Sequence, residues 1–145
     1  MTTKTLNNLV VLNAPSGAGK TTYIRQFAPA ERKTLCSAER FRETVELALN
    51  LGLTHPLEEI FAGAKVIAID DIDMVFRHQR GTLQALTAKF LLSQTVRGKT
   101  VLVAGIDLWN RCPAFCRPLA ADTTGIVRWI GAEDLKDELG RWCSE

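Results

Sequence analysis

Residues Ala14-Pro15-Ser16-Gly17-Ala18-Gly19-Lys20-Thr21 combine small residues, a lysine and a hydroxyl in one short run. That combination can hold phosphate. Gly17 and Gly19 allow backbone angles and a close approach that a side chain would block. Their N–H groups can point at a β-phosphate, helped by a helix N-terminus. Lys20 offers a compact cation to β- and γ-phosphates. Thr21 offers a hydroxyl ligand to Mg²⁺. The expected nucleotide contacts are Pro15, Ser16, Gly17, Ala18, Gly19, Lys20, Thr21 and Thr22. Ala14 stands where the first glycine of such a loop usually sits. The plainer alternative is a glycine-rich turn with a chance Lys-Thr pair. The context favours a P-loop, because a strand-like run, Leu9–Leu12, precedes the loop and a helix, Lys20–Phe27, follows it.

A second group ends the apolar run Val66-Ile-Ala-Ile69, which leads into Asp70-Asp71. Beside a P-loop, Asp70 would hold Mg²⁺ through water, and Asp71 would polarise an attacking water or hydroxyl. Their structural alternatives are a strand-end cap for Asp70 and a structural carboxylate for Asp71. Asp73 is expected at the surface. His55 and His78 lack partners at metal-ligand spacing and read as surface residues. Cys112 and Cys116 form one C-x₃-C pair, with Cys36 and Cys143 elsewhere. Zinc sites use paired C-x₂₋₄-C motifs, so these read as buried or incidental thiols. Trp109 lies beside Asn110 and Arg111, where it can stack on a base or pack against the fold. Trp129 is expected to be core or semi-core, and Asn13 is a candidate for orienting nearby backbone.

These residues need elements to position them. Lys33–Cys36 reads as a second strand, and Ser37 as the N-cap of a helix bearing Phe41, Val45, Ala48 and Leu49. Gly52 stops that helix, and Pro56 opens a short one. Pro29 ends the first helix. Thr82–Val96 reads as a long helix with Leu83, Leu86, Phe90, Leu91 and Gln94 on one side. Thr100–Ala104 is a buried strand. Residues 105–122 carry Gly105, Pro113 and Pro118 and read as irregular, with at most one helical turn. Gly125–Ile130 is the last strand and Ala132–Cys143 the last helix. Apolar strands alternating with helices imply a parallel sheet covered on both faces. The expected fold is a three-layer α/β P-loop NTPase sandwich with a five-stranded parallel sheet. The phosphate-binding strand should be central, and the strand at 100–104 should lie between it and the acidic strand. Ligands bind such sheets at the carboxyl ends of the strands.

The 145 residues (16.0 kDa) suit one nucleotide-binding domain over 1–145, without a lid domain. No apolar run approaches a membrane span, no secretion signal is visible, and the cysteines are too sparse for a disulfide scaffold. These features point to a cytoplasmic α/β protein. Net charge is only +2, but residues 77–117 hold seven basic side chains against the single acid Asp107. That run reads either as a surface facing nucleic acid or phosphate, or as solvated helix faces.

Cys36-Ser-Ala-Glu-Arg-Phe41, then Leu57-Glu-Glu59, then Val66-Ile-Ala-Ile-Asp-Asp-Ile72 resemble the replication-initiator branch of the AAA+ ATPases, DnaA and its regulator and helicase-loader relatives. Gly125–Leu135 is similar to that family's closing strand and the turn beyond it. The resemblance covers most of residues 9–135. It implies ATP as the nucleotide, Mg²⁺, and DNA or a replication protein as partner. It also makes Asp107, after the strand at 100–104, the candidate sensor of the γ-phosphate. The family's arginine finger has no match, since that place reads Ala121-Asp-Thr-Thr124. Arg111 or Arg117 is the candidate to reach a neighbour's nucleotide. A second resemblance, through Ala104-Gly-Ile-Asp107 and Pro113-Ala-Phe115, is to type II thymidine kinases.

Three functions follow as expectations. The first is a Mg²⁺-dependent ATPase switch of initiator or helicase-loader type, with Lys20, Asp71 and Asp107 catalytic and with Thr21 and Asp70 on the metal. The second is a nucleoside or nucleotide kinase, with Asp71 as base for an acceptor hydroxyl. The third is a nucleotide-binding interaction module with negligible turnover.

Overall fold

The computed structural model describes residues 9–15, 17–27, 33–52, 55–76 and 81–143. Ser16, Pro29, Arg77, His78 and Arg80 fall outside these residues, as do the side chains of Cys36, His55, Trp142 and Cys143.

The chain alternates strands and helices: β1 (Leu9–Asn13), α1 (Lys20–Phe27), β2 (Lys33–Cys36), α2 (Ala38–Leu51), α3 (His55–Ile60), β3 (Val66–Ile69), α4 (Ile72–Val75), α5 (Gly81–Val96), β4 (Thr100–Gly105), α6 (Leu108–Arg111), α7 (Pro113–Ala120), β5 (Val127–Ile130) and α8 (Ala132–Cys143). Local chemistry explains several boundaries. Ser37 Oγ accepts from the Arg40 N–H at 3.2 Å and caps α2, and Gly52 ends it at φ +69.

The strands lie in the order β2-β3-β4-β1-β5 and every ladder is parallel. β4 lies between β1 and β3, the expected relation. The middle place belongs to β4, however, and not to β1, which is interior but next to the β5 edge. The sheet is buried on both faces, so its strands lack polar alternation. Leu9, Val11, Ile67, Ile69, Val101 and Val103 face α2, α4, α5 and α7, while Val10, Leu12, Leu102 and Ala104 face α1 and α8.

Two expectations need correction. Residues 105–122 are not mainly irregular: Gly105 ends β4, and α6 and α7 take up Leu108–Arg111 and Pro113–Ala120. Pro113 sits at the start of α7, where a missing N–H costs nothing, and Pro118 lies inside it. Packing offsets the proline, because Phe115, Cys116 and Leu119 are buried and Gln84 Oε1 accepts from the Phe115 N–H at 3.2 Å. In α5, Leu86 is exposed while Gln84, Thr87, Gln94 and Thr95 are buried. α5 is covered by the sheet and by α7, so one apolar stripe is not enough. The hydroxyls of Thr87 and Thr95 donate to the Leu83 and Leu91 carbonyls, which satisfies them inside the core.

Candidate functional site

The β1–α1 loop turns because two of its glycines take positive φ, +84 at Gly17 and +102 at Gly19. α1 then starts at Lys20, with its first N–H groups at the carboxyl edge of the sheet. Lys20 is only 7% exposed. Its ammonium donates to the carbonyls of Ala14 at 2.6 Å and Pro15 at 2.8 Å, which fixes the charge at the neck of the loop.

β3 delivers the acidic pair to the same place. The Thr21 hydroxyl donates to Asp70 Oδ2 at 2.8 Å, joining residues 49 positions apart. The other oxygen of Asp70 accepts from the Asp71 N–H at 2.9 Å. Asp71 takes the left-handed conformation, φ 54 and ψ 45, and starts α4. Such geometry costs a non-glycine residue about 1–3 kcal/mol and tends to cluster at functional sites. Burial, then the charges of Asp70 and Asp73, push the Asp71 carboxyl above its usual value, and Lys20 opposes them.

A cleft of about 320 Å³ opens here, lined by Gly17, Gly19, Lys20, Thr21, Thr22, Asp70, Asp71 and Ile106. Most of the expected contact residues therefore meet. Pro15 contributes its carbonyl to Lys20, and neither Pro15 nor Ala18 lines the cleft. Ser16 lies outside the described residues.

Asp107 is different. It too adopts left-handed backbone, φ 49 and ψ 49, at the end of its strand. Its carboxylate accepts from Asn110 Nδ2 at 2.9 Å, is exposed, and does not line the cleft. Its neighbour Ile106 lines the wall instead.

Sequence reasoning missed the brace behind that wall. Asp73, expected at the surface, is buried, with its side chain 5% exposed. It accepts from the Ile106 N–H at 3.2 Å and from the Arg111 guanidinium at 3.1 Å. Arg111 is thus engaged within its own chain and is not held out toward a neighbour. Gly105 lets the carboxylate in: a Cβ there would lie 3.0 Å from Asp73 Oδ1 and 2.4 Å from Leu108. From the other side, Asn13 Oδ1 accepts from the Leu108 N–H at 3.0 Å, and the Ala14 N–H donates to Gly105 O at 3.2 Å. Asn13 does orient backbone, but at the β4–α6 turn. The signals were the glycine at 105 and an aspartate two residues beyond the acidic pair; both were visible, but their pairing was not.

The other side chains sort readily. Cys112 and Cys116 are buried, which pushes their thiols up to about 12 and about 11. Trp109, 45% exposed, stacks on the half-buried Trp129 with ring centres 5.5 Å apart. Within the basic run, Arg97 pairs with Glu58, Lys99 donates to Phe61 O, and Arg111 pairs with Asp73. None of the described helices is long and apolar enough to cross a membrane.

No protein-family model matches the chain, and none of the curated proteins matches it. Solved structures do. Domain III of the replication initiation protein DnaA from Thermotoga maritima superposes with a TM-score of 0.55 at 17% identity, over 94% of this chain and 60% of that one. AMPPCP-bound DnaA from Aquifex aeolicus gives 0.52 at 16%, over 86% and 40%. Replication initiator DnaA bound to AMPPCP and single-stranded DNA gives 0.52 at 16%, over 87% and 41%. The chain spans less than two thirds of each of these proteins. Its architecture is the α/β fold of DnaA domain III, the fold that the AAA+ resemblance implied.

Proposed function

We propose that the chain is a Mg²⁺-dependent ATP-binding P-loop NTPase that works as an ATPase switch of replication-initiator or helicase-loader kind. One observation carries this reading. The Thr21 hydroxyl and the Asp70 carboxylate meet at 2.8 Å, from elements 49 residues apart, at the mouth of a loop whose glycines turn its backbone inward. Two oxygen donors of these types suit Mg²⁺, which takes few protein ligands and fills the rest of its shell with water and phosphate oxygens. Thr21 and Asp70 would hold it. Bound there, the ion would neutralise charge on the β- and γ-phosphates.

The chain's own groups supply the rest. Backbone N–H groups at Gly17–Thr21 cradle the phosphates, and Lys20 adds a buried cation. Asp71 orients the attacking water and takes its proton as the bond from the γ-phosphorus to the departing ADP oxygen breaks. A carboxyl raised above its usual value serves that task better than an ordinary one. Asp107 and phosphate are both anions and both acceptors, so Asp107 would act as a sensor only through a bridging water, after giving up its bond from Asn110. The described residues act as one nucleotide-binding unit, and the fold likeness to DnaA supports ATP as nucleotide and DNA or a replication protein as partner.

The test follows the γ-phosphate. The protein is incubated with γ-labelled ATP, Mg²⁺, DNA and a deoxynucleoside mixture, beside Lys20→Ala. Label released as inorganic phosphate, and lost in the variant, is the expected result. Label transferred to a nucleoside would replace the switch by a kinase. A wild type that retains no nucleotide would overturn the proposal.

A further inference from the structure

We infer that Asp73 is a positioning residue for γ-phosphate recognition, acting through Ile106 and held in place by Arg111. The inference rests on the nucleotide reading above and adds to it a residue outside both phosphate motifs.

The cleft has two sides. The loop side, Gly17 to Thr22, is placed by α1. The far wall is Asp70, Asp71 and Ile106, from the ends of two neighbouring strands. A diphosphate seated in the loop is held by the loop side. On that reading a third phosphate would extend toward the far wall, so the spacing of that wall would bear on ATP and not on ADP.

Asp73 fixes that spacing. It stands two residues after Asp71, on the first turn of α4, and its carboxylate reaches β4. One oxygen takes the Ile106 N–H, and the other takes the Arg111 guanidinium at the end of α6. Gly105 has no side chain to keep the carboxylate away. A buried carboxylate with a charged partner has a defined place, because leaving that carboxylate unpaired is costly. Arg111 is largely exposed, with its side chain 53% accessible, so it can be changed without opening the core.

The experiment titrates ATP and ADP, each with Mg²⁺, by calorimetry into wild type, Asp73→Asn, Arg111→Ala and Arg111→Lys. Thermal unfolding is recorded for each. Asp73→Asn removes the charge and sets an amide N–H₂ against either the Ile106 N–H or the guanidinium, so one of the two bonds is lost. The preference for ATP over ADP should fall about fivefold or more in Asp73→Asn and Arg111→Ala, the usual size of a coupling between sites. ADP affinity should stay within about twofold, and Arg111→Lys should retain most of the preference. An unchanged preference in Arg111→Ala overturns the inference. So does a fall in ADP affinity and thermal midpoint at a fixed ATP-to-ADP ratio, which is the mark of a merely structural role. A wild type that binds both nucleotides equally overturns it too, while leaving the nucleotide site standing. A folded wild type that binds neither sinks the proposed function itself.

Discussion

β3 and β4 end alike. Each runs out at the carboxyl edge of the sheet, places an aspartate in left-handed backbone, Asp71 at φ 54 and Asp107 at φ 49, and starts a one-turn helix. Neither aspartate caps its helix with its side chain. Yet Asp71 lines the cleft beside Lys20 and Thr21, while Asp107 turns out to Asn110. The β3 end faces the β1–α1 loop, whereas the β4 end is backed by Asp73, Arg111, Asn13 and a buried cysteine. A shared local shape therefore does not assign a shared role. What stands opposite each strand end decides it.

The largest expected effect would break or secure this comparison directly. Asp71→Asn should slow phosphate release by about 10²–10⁴-fold, the usual contribution of a positioned base. Asp107→Asn should slow it by less than about threefold, since its carboxylate serves Asn110. Equal losses in single-turnover assays would mean the two ends share the chemistry.

The next prediction concerns what backs β4. Burial lifts the Cys112 thiol to about 12 from an ordinary 9.0. The folded state then holds its proton where the unfolded chain has lost it, so this group's stabilising contribution is complete below pH 9.0 and drains away as pH rises toward 12. Thiolate is about a thousandfold scarcer at neutral pH, an effect partly offset by greater intrinsic nucleophilicity. Alkylation of Cys112 by iodoacetamide should run at least about thirtyfold slower in native protein than in urea. Equal rates would show that the β4 end is open, as the β3 end is.

A smaller effect probes the brace. Gly105→Ala pushes a methyl group against Leu108 and the Asp73 carboxylate. It should lower unfolding stability by about 1–3 kcal/mol in a urea titration. No loss would show that Asp73 can stand elsewhere. The smallest change is Asp107→Gly, which relieves the left-handed backbone but frees the unfolded chain. It should alter stability by no more than about 0.5 kcal/mol, and a large drop would give the Asp107 side chain a role that its bond to Asn110 does not explain.

The glycine turn after β1 and the acidic pair after β3 were legible because each is a short local pattern. Glycines mark the positive φ angles of the turn, and an apolar run marks a strand buried on both faces. Leu86 and the 105–122 segment misled, because local signals there yield to packing. Proline forecasts a break, but α7 survives Pro118 by burying Phe115, Cys116 and Leu119 against neighbours that include α5.

The sequence by itself determined where the glycine turn between β1 and α1 falls, which strand carries the acids, and that the sheet is parallel and covered on both faces. Only the tertiary structure decided that Asp71 and not Asp107 lines the cleft, that Asp73 is buried, and that Arg111 is its partner. The reason is distance along the chain. Glycine conformation, capping and strand burial act over a few residues, whereas the bonds that assign these aspartates span 33 residues to Ile106, 38 to Arg111 and 49 from Thr21 to Asp70. Such pairs form only where the fold brings strand ends together and excludes the water that would otherwise satisfy them.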